Sequence, residues 1–243
     1  LVFHQYFSPR EGSTITRVYE IVRALVERGH AVTVVTARAH LSTTGLAGPF
    51  VDGRREGTVE GIRVIELEGA YSNHLSFRRR AVEFARYVLR SVRYALREDY
   101  DLVLCKSAPL TAAVPGILAR LLRRKVYVLD VGDLWPLNPW AMGLIGRGAY
   151  AALWVLEGLA YRTARLNIAV SPGVLAGIRA RGVPEERVAL VGNACDLDLF
   201  RPVEAGAPRP SVPGVPDDAI LVVYAGAHGP ITGLEVVLDA AAA

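Results

Sequence analysis

Hydrophobic residues occur along this chain in short runs rich in valine, isoleucine and leucine, separated by longer stretches in which they recur every three or four positions. The short runs predict β-strands at residues 1–6, 31–36, 101–105, 125–131, 166–170 and 188–191. The longer stretches predict helices at residues 13–28, 77–97, 110–123, 149–163 and 174–181. Because nearly continuous apolar strands that alternate with helices are buried on both faces, we expect an α/β domain built on a doubly wound parallel sheet.

Two stretches interrupt this alternation. Residues 37–61 are rich in Gly, Thr and Arg and are interpreted as a long surface loop, followed by a further strand in "IRVIEL". Residues 201–218, "RPVEAGAPRPSVPGVPDD", hold five prolines and two glycines, which predicts a linker. A strand in "AILVVYAGA" and a helix in "LEVVLDAAAA" follow it. We therefore expect a first domain at residues 1–200, the linker, and the truncated start of a second α/β domain at residues 219–243.

Composition narrows the class of protein. The chain has 243 residues, of which 51% are hydrophobic, and a net charge of +4. Its two cysteines have no Cys or His neighbours at metal-ligand spacing, so no metal site is expected. The longest apolar run is interrupted by Glu157, which argues against a membrane span, and the first residues do not resemble a signal peptide. We expect a cytoplasmic protein.

The first candidate site is the strand-to-helix loop "YFSPREGSTITR", since ligands of doubly wound sheets bind at the carboxyl ends of the strands. The candidate residues are Gly12, Ser13, Thr14 and Arg17. A cation in the first helical turn opposes the helix dipole, and an anionic ligand would resolve that conflict. Alternatively, Arg17 pairs with Glu20 or Glu11 and a hydroxyl caps the helix. The loop has no G-x-G-x-x-G pattern, which argues against a dinucleotide.

The second candidate is the predicted helix 77–97. One stripe of this helix carries five arginines: Arg79, Arg86, Arg90, Arg93 and Arg97. The predicted apolar face consists of Ala85, Val88, Leu89, Val92 and Leu96, and four aromatic residues lie between the two. Such a basic stripe suits an anionic membrane surface or a polyanionic acceptor, whereas the alternative is an ordinary solvated face.

The third candidate is "VGDLWP", where an apolar strand gives way abruptly to an acid, an indole and a proline. Asp133 could act as a base or bind a sugar hydroxyl, and Trp135 could cover an apolar sugar face. Alternatively, Asp133 caps the next helical turn and Trp135 belongs to the core.

The fourth candidate is "YAGAHGPITG", a glycine-containing turn before the last predicted helix. Gly226, His228 and Gly229 could let the backbone approach a phosphate closely, with the helix N-terminus behind it. Many strand-to-helix turns are rich in glycine, so this signal alone is weak.

Taken in order, five segments resemble the GT-B glycosyltransferases of family 4, most closely the bacterial branch that builds cell-surface polysaccharide: "YFSPREGSTITRVYEIVRALVERGHAVTVVT", "KSAPL", "VGDLWP", "AVSPGVLAGIRARGVPEERVALVGNACDLDLFRP" and "YAGAHGPITGLEVVLDAA". The resemblance implies two Rossmann-like domains that face each other across a cleft, with the acceptor on the N-terminal side and the donor mostly on the C-terminal side. It also implies transfer with retention, no required metal and no cofactor, since the nucleotide sugar is a substrate.

The resemblance also assigns roles to residues. It places Asp133 beside the reacting sugars as the catalytic residue, and Gly226, His228 and Gly229 at the donor phosphates. Ser107 matches a loop on the acceptor side. With it we group Gly12, Ser13, Thr14, Arg17 and Trp135 as the acceptor-binding set.

Three departures from the family pattern qualify this assignment. Gly132 stands where relatives carry Arg or His, so a positive or proton-handling group beside Asp133 is expected to be missing. The hinge reads Asn193, Ala194, Cys195, Asp196 and lacks the family's glycine. The paired glutamates of the donor site are expected beyond Ala243.

Two functions remain open at this point. The first is a metal-independent hexosyltransferase that moves a sugar from a UDP-linked donor to a lipid-linked or glycan acceptor, at the inner face of the membrane and without nucleic acid. The second is a non-catalytic acceptor- or membrane-binding module that needs a separately encoded donor-binding partner. Two glutamates about eight residues apart in a longer form of the chain would favour the enzyme.

Overall fold

The computed structural model describes residues 1–10, 17–40, 42–72, 74–193, 197, 200–202, 211–216, 219–226 and 232–242, without the side chain of residue 77. The chain divides into two compact units, Leu1–Ala194 and Cys195–Ala243. Gly12, Ser13, Thr14, His228 and Gly229, together with Ala194, Cys195 and Asp196, lie outside the described residues.

The first unit contains an open sheet of eight strands, which confirms the predicted doubly wound α/β fold. The strands are β1 Val2–Phe3, β2 Thr33–Ala39, β3 Arg54–Val59, β4 Ile62–Tyr71, β5 Leu102–Lys106, β6 Val126–Val131, β7 Leu166–Ala169 and β8 Val188–Leu190. Their order across the sheet is β3-β4-β2-β1-β5-β6-β7-β8. Every neighbouring pair is parallel except β3 and β4.

Helices connect these strands. They are α1 Arg17–Glu27, α2 Phe77–Arg97, α3 Val114–Arg123, α4 Leu137–Ala141, α5 Arg147–Thr163 and α6 Pro172–Ala180, with α7 Glu235–Ala242 in the second unit. Short 3-10 turns at Leu110–Ala113 and Glu185–Arg187 precede α3 and β8. None of the helices in the described part of the chain is long and apolar enough to cross a membrane.

Alternate strand residues face opposite sides of the sheet, as the two-residue period of a strand requires. Val2 and Val34 join α1 in one core cluster, and Phe3 and Val35 join the other, which packs against α2, α3, α5 and α6. Each face of the sheet therefore has its own apolar core.

The chain changes direction in the sheet between β1 and β5. From β1 it runs to β2 through α1, and after β4 it returns along α2 to β5 on the other side of β1. In open α/β sheets, ligands bind outside the carboxyl ends of the strands at such a switch point. The carboxyl ends of β1, β5 and β6 are therefore where a site is expected.

The predicted loop at residues 37–61 is wrong in part, because its last third forms strand β3. This strand pairs antiparallel with β4 through a tight turn in which Glu60 and Gly61 have φ of 51° and 77°. Both values lie in the left-handed region that a two-residue hairpin turn of type I′ requires. Every second residue of β3 is exposed and polar or small, so the strand lacks the apolar run that marks a buried strand.

The predicted orientation of α2 is also wrong. Leu89, assigned to the apolar face, is 78% exposed, and Val82 is 57% exposed. The buried side instead carries Tyr87 and Tyr94. Tyr87 reaches the core and donates its hydroxyl hydrogen to the carbonyl of Val35 at 2.8 Å. Burial of these two rings, whose hydroxyl groups have hydrogen-bond partners, therefore stabilises this orientation of α2 more than burial of the aliphatic side chains would.

The second unit is less regular in its described part. Residues 219–226, predicted as a strand, pair with no other strand among the described residues, whereas the predicted helix forms as α7. A single strand without a partner leaves its backbone hydrogen bonds unmade, which explains why the apolar pattern alone does not produce a strand here.

One close approach in the first unit is testable. A Cβ atom on Gly116 of α3 would lie 2.4 Å from Tyr127 Cε2 and 2.7 Å from Cys105 Sγ. We expect Gly116→Ala to lower the free energy of unfolding by about 1–3 kcal/mol, because overpacking outweighs alanine's higher helix propensity.

Gly148→Ala is the matched control, since nothing lies within 4 Å of a Cβ atom at that position in α5. Denaturant unfolding should show this variant unchanged or stabilised by up to about 1 kcal/mol. Equal effects of the two substitutions would contradict the packing argument.

Candidate functional site

A buried carboxylate lies at the switch point. Asp130, near the end of β6, is 0% exposed. Its Oδ2 atom lies 3.1 Å from Arg17 Nε and 3.0 Å from Lys106 Nζ, and its Oδ1 atom accepts from Arg17 Nη2 at 3.1 Å. Two cations, one from α1 and one from β5, thus share a single carboxylate, and the hydrogen bonds stabilise the charges that the fold removes from water.

Arg17 also holds the segment that follows β8. Its Nη1 atom donates to the carbonyl of Gly192 at 2.7 Å, and its Nη2 atom donates to that of Val191 at 2.8 Å. The positive charge of Arg17 at the start of α1 is therefore balanced by Asp130. Glu20 pairs instead with Arg10 and Arg23. Glu11, the other partner considered, lies outside the described residues.

His4 follows β1 and adds an uncharged imidazole to this buried group. Both ring nitrogens are buried and have no hydrogen-bond partner within the described part of the chain. Burial, reinforced by the positive charge of Lys106, lowers the pKa of His4 to about 3. The ring is therefore neutral near pH 7.

Ser107 is buried beside the same centre. It is 1% exposed, and its backbone N–H donates to the carbonyl of Asp130 at 2.9 Å. Its hydroxyl oxygen has no partner among the residues that the structure describes. The candidate acceptor residue thus faces the protein interior.

Asp133 lies just beyond the end of β6 and is exposed. It does not cap α4, whose N-cap residue is Pro136. Gly132 itself supplies no positive group beside it, but Lys106 Nζ lies 2.8 Å from the point that a Cβ atom on Gly132 would occupy. The ammonium of Lys106 therefore fills the space under the backbone next to Asp133.

Trp135 contributes mainly to packing. Its side chain is partly buried and contacts the core cluster on the α2 side of the sheet. The peptide bonds Trp135–Pro136 and Ala108–Pro109 are both cis. The loops after β5 and β6, at the same edge of the sheet, thus each contain a cis peptide bond before a proline.

A cavity of about 420 Å³ opens at the carboxyl edge near β2 and β4. Its polar lining includes Arg38, His40, Ser42, Thr43, Thr44, Arg55 and Glu66. Ser42 donates its hydroxyl hydrogen to the carbonyl of Phe7 at 2.6 Å, and Ser8 donates to that of Thr43 at 2.8 Å. These bonds attach the cavity wall to the chain that leaves β1, so the cavity belongs to the same edge as Asp133.

The structure brings part of the predicted site together. Arg17, Ser107, Asp133 and Trp135 share the carboxyl edge of the sheet, whereas Gly226 belongs to the second unit. Of the arginine stripe on α2, Arg79, Arg86, Arg93 and Arg97 are exposed, and Arg90 donates to the carbonyl of Glu68 at 2.8 Å.

Sequence reasoning missed the residues that hold this site: Asp130, Lys106 and His4. The first two are charged residues at or near the end of an otherwise apolar strand, in "VYVLDV" and "LVLCK". A charge in such a position is costly unless it is paired, which is the signal that could have identified them. No three His, Cys, Asp or Glu side chains gather into a possible metal site in the described ranges.

Comparisons with known proteins agree with this architecture. The sequence model of the family described as "Glycosyl transferase 4-like domain" matches residues 12–194. No curated protein matches the chain in sequence.

Among solved structures, the chain is similar to sucrose-phosphate synthase from Thermosynechococcus elongatus, with 17% identity and a TM-score of 0.54, over 83% of this chain and 49% of that one. It is also similar to HepE of Anabaena in complex with UDP and glucose, with 21% identity and a TM-score of 0.45, over 84% and 46% of the two chains. A third is the calicheamicin glycosyltransferase CalG4, with 16% identity and a TM-score of 0.49, over 85% and 56%. The chain thus spans about half the length of these proteins.

The buried imidazole predicts a pH dependence of stability. Because the pKa of His4 is about 3 in the folded state and 6.5 when unfolded, the unfolded state binds the extra proton between these values. Stability is therefore full above pH 6.5 and falls as the pH decreases towards 3. From pH 7 to pH 5 this residue should cost about 2 kcal/mol, at about 1.4 kcal/mol per pKa unit.

Urea unfolding of the wild type and of His4→Leu at both pH values isolates this contribution, because other titrating groups are common to the two proteins. The variant should lose about 2 kcal/mol less than the wild type on acidification. Parallel losses would show that His4 is not held neutral.

Proposed function

We propose, from the premise that this chain belongs to the glycosyl transferase 4-like domain family, that it is the acceptor-side part of a GT-B glycosyltransferase. The reaction is the transfer of a sugar, with retention and without a metal, from a UDP-linked donor to a lipid-linked or glycan acceptor. Cell-surface polysaccharide synthesis at the inner face of the membrane is the proposed setting. Residues 1–200 form the acceptor-side domain, and residues 219–243 begin the donor-side domain.

The observation that carries this proposal is the position of Asp133. Its carboxylate is exposed at the switch point, where doubly wound sheets bind ligands, and it forms no hydrogen bond with another described residue. A carboxylate that the fold itself does not use is available to a substrate. We assign it the acceptor hydroxyl, from which it accepts a hydrogen bond as charge develops in the transition state.

The neighbouring charges support this role. Lys106 Nζ lies beneath the backbone at Gly132, and Asp130 holds it in place at 3.0 Å. This ammonium is buried, so a positive charge lies within the protein beside the loop that carries Asp133.

We assign Asp133, Trp135 and Arg17 to the acceptor region, together with Gly12 to Thr14, which lie outside the described residues. Arg17 already binds Asp130 and donates hydrogen bonds to the carbonyls after β8. We therefore assign it the role of positioning the first turn of α1. Ser107 is buried, and we assign it the role of supporting the acceptor region from the protein interior. The cavity of about 420 Å³ beside β2 offers the exposed Arg38 to a polar or anionic part of the acceptor, whereas Arg55 in its lining pairs with Glu66.

The donor side rests on the family resemblance. In the complete enzyme, backbone N–H groups of the Gly226 to Gly229 turn would stabilise the charge that develops on the leaving diphosphate. A thermal-shift screen of nucleotide sugars against the longest natural form of the chain tests this, because a donor that binds the native state raises Tm.

The catalytic assignment is tested with Asp133→Asn in the longest natural form that carries both domains. Turnover in initial-rate assays should fall by about a hundredfold or more, the range for a positioned acid or base. Tm should stay unchanged, because Asp133 forms no contact that the fold requires.

Asp99→Asn provides the control, since this carboxylate is fully exposed at the opposite edge of the sheet. It should retain wild-type turnover. Wild-type turnover in Asp133→Asn as well would refute the catalytic role of this residue.

A membrane surface is proposed as a further partner, because α2 presents two adjoining solvent-facing strips. One strip carries the exposed arginines Arg79, Arg86, Arg93 and Arg97. The other carries Leu89 and Val82, which are 78% and 57% exposed. An apolar strip bordered by arginines suits the boundary between anionic headgroups and acyl chains.

This contact is tested by co-sedimentation with phosphatidylglycerol vesicles. Arg86→Glu combined with Arg93→Glu should weaken binding about tenfold or more, and salt should weaken wild-type binding, since each basic residue contributes about 1 kcal/mol at such a surface. Arg28→Glu combined with Arg147→Glu matches the charge change elsewhere and should bind like the wild type. Equal losses of vesicle binding in both double variants would show that binding depends on net charge alone.

A further inference from the structure

The edge of the sheet opposite Asp133 contains a second, strongly basic cavity. It has a volume of about 390 Å³ and lies near the amino ends of β7 and β8, beside the last turns of α3 and α5. Its lining consists of Arg120, Leu121, Arg162, Thr163, Arg165 and Arg187, which we call the arginine pocket. Four of its six residues are arginines, and none is acidic.

Arg187 has a structural role in this pocket. It donates to the carbonyl of Arg162 at 2.6 Å and also to that of Ala164. These carbonyls belong to the end of α5, where a helix leaves acceptors without partners. Arg187 therefore caps α5, and it compensates the negative end of that helix dipole.

The other three guanidinium groups have no such explanation. Arg120, Arg162 and Arg165 are exposed, and no carboxylate within the described ranges forms an ion pair with any of them. Arginines elsewhere on the same edge do find partners, as Arg63 does with Glu56 and Glu98. Positive charge thus gathers in this pocket without a counter-charge, and the mutual repulsion favours an anion.

The residue type indicates which anion fits. A guanidinium is a planar fork of N–H donors that matches the oxygen atoms of a phosphate in pairs. Arg120 of α3, Arg162 of α5 and Arg165 just before β7 contribute three such forks to the lining. Leu121 in the lining is 56% exposed, and its neighbour Leu122 is 66% exposed. The rim of the pocket is therefore apolar on the α3 side.

We propose that the arginine pocket binds a phosphoryl group, carried by a soluble phosphate or by a phospholipid headgroup. The apolar rim suits the second source, and the shared chemistry is the phosphate itself. This site is independent of the proposed glycosyl transfer, because it lies at the opposite edge of the sheet and shares no residue with the Asp133 site.

The test uses the 243-residue chain and two probes. Inorganic pyrophosphate is titrated by calorimetry at low ionic strength, and vesicles of phosphatidylglycerol in phosphatidylcholine are compared with pure phosphatidylcholine by co-sedimentation. The pocket variant is Arg120→Gln combined with Arg165→Gln, which leaves the cap at Arg187 in place. The control, Arg28→Gln combined with Arg147→Gln, removes the same charge from exposed positions outside the pocket.

We expect the pocket variant to bind at least one probe about tenfold or more weakly than the control, since charge-assisted bonds to phosphate are lost. A loss confined to pyrophosphate identifies a soluble phosphate, and a loss confined to phosphatidylglycerol vesicles identifies a headgroup. Binding of both probes that is equal in the pocket and control variants overturns the proposal, as does a wild type that binds neither. An unchanged Tm in both variants shows that the comparison concerns binding rather than folding.

Discussion

The arrangement of the first unit depends on one buried carboxylate. Asp130 lies in the central part of the sheet, where an isolated charge would be strongly unfavourable, and it is tolerated because Arg17 and Lys106 reach it from two different elements. Removing one partner of such a group typically costs about 3–5 kcal/mol. The start of α1, the end of β5, the end of β6 and the chain after β8 are consequently fixed relative to one another.

The site is buried on one side and open to solvent on the other. His4 and Ser107 bring into the interior polar atoms that have no partner among the described residues, whereas Asp133, just after β6, faces solvent. Asp130 is paired with Arg17 and Lys106 inside the protein, so this charged group does not depend on a ligand. Asp130 and Asp133, three positions apart, thus differ in that the first is paired inside the protein and the second faces solvent.

The sequence predicted the parallel strands, the length of α2 and the position of Asp133, because each follows from a local pattern or from the family motif. It did not predict β3, whose polar alternation is typical of an edge strand and resembles a loop. It also misjudged α2, since hydrophobicity alone ranks Leu89 above Tyr87, while the fold provides a carbonyl for the tyrosine hydroxyl. Pairings such as Arg17 with Asp130 join residues 113 positions apart, and no local pattern specifies them.

The space beneath Gly132 links two positions that are far apart in the chain. Lys106 can extend its ammonium under this backbone only because residue 132 has no side chain, and a residue with a Cβ atom at 132 would have to displace that group from a distance of 2.8 Å. The effects of substitutions at the two positions are therefore expected to depend on each other. Relatives that carry a basic residue at the position of Gly132 should carry a smaller or uncharged residue at that of Lys106, so that the fold retains one positive charge at this point while its position in the sequence changes.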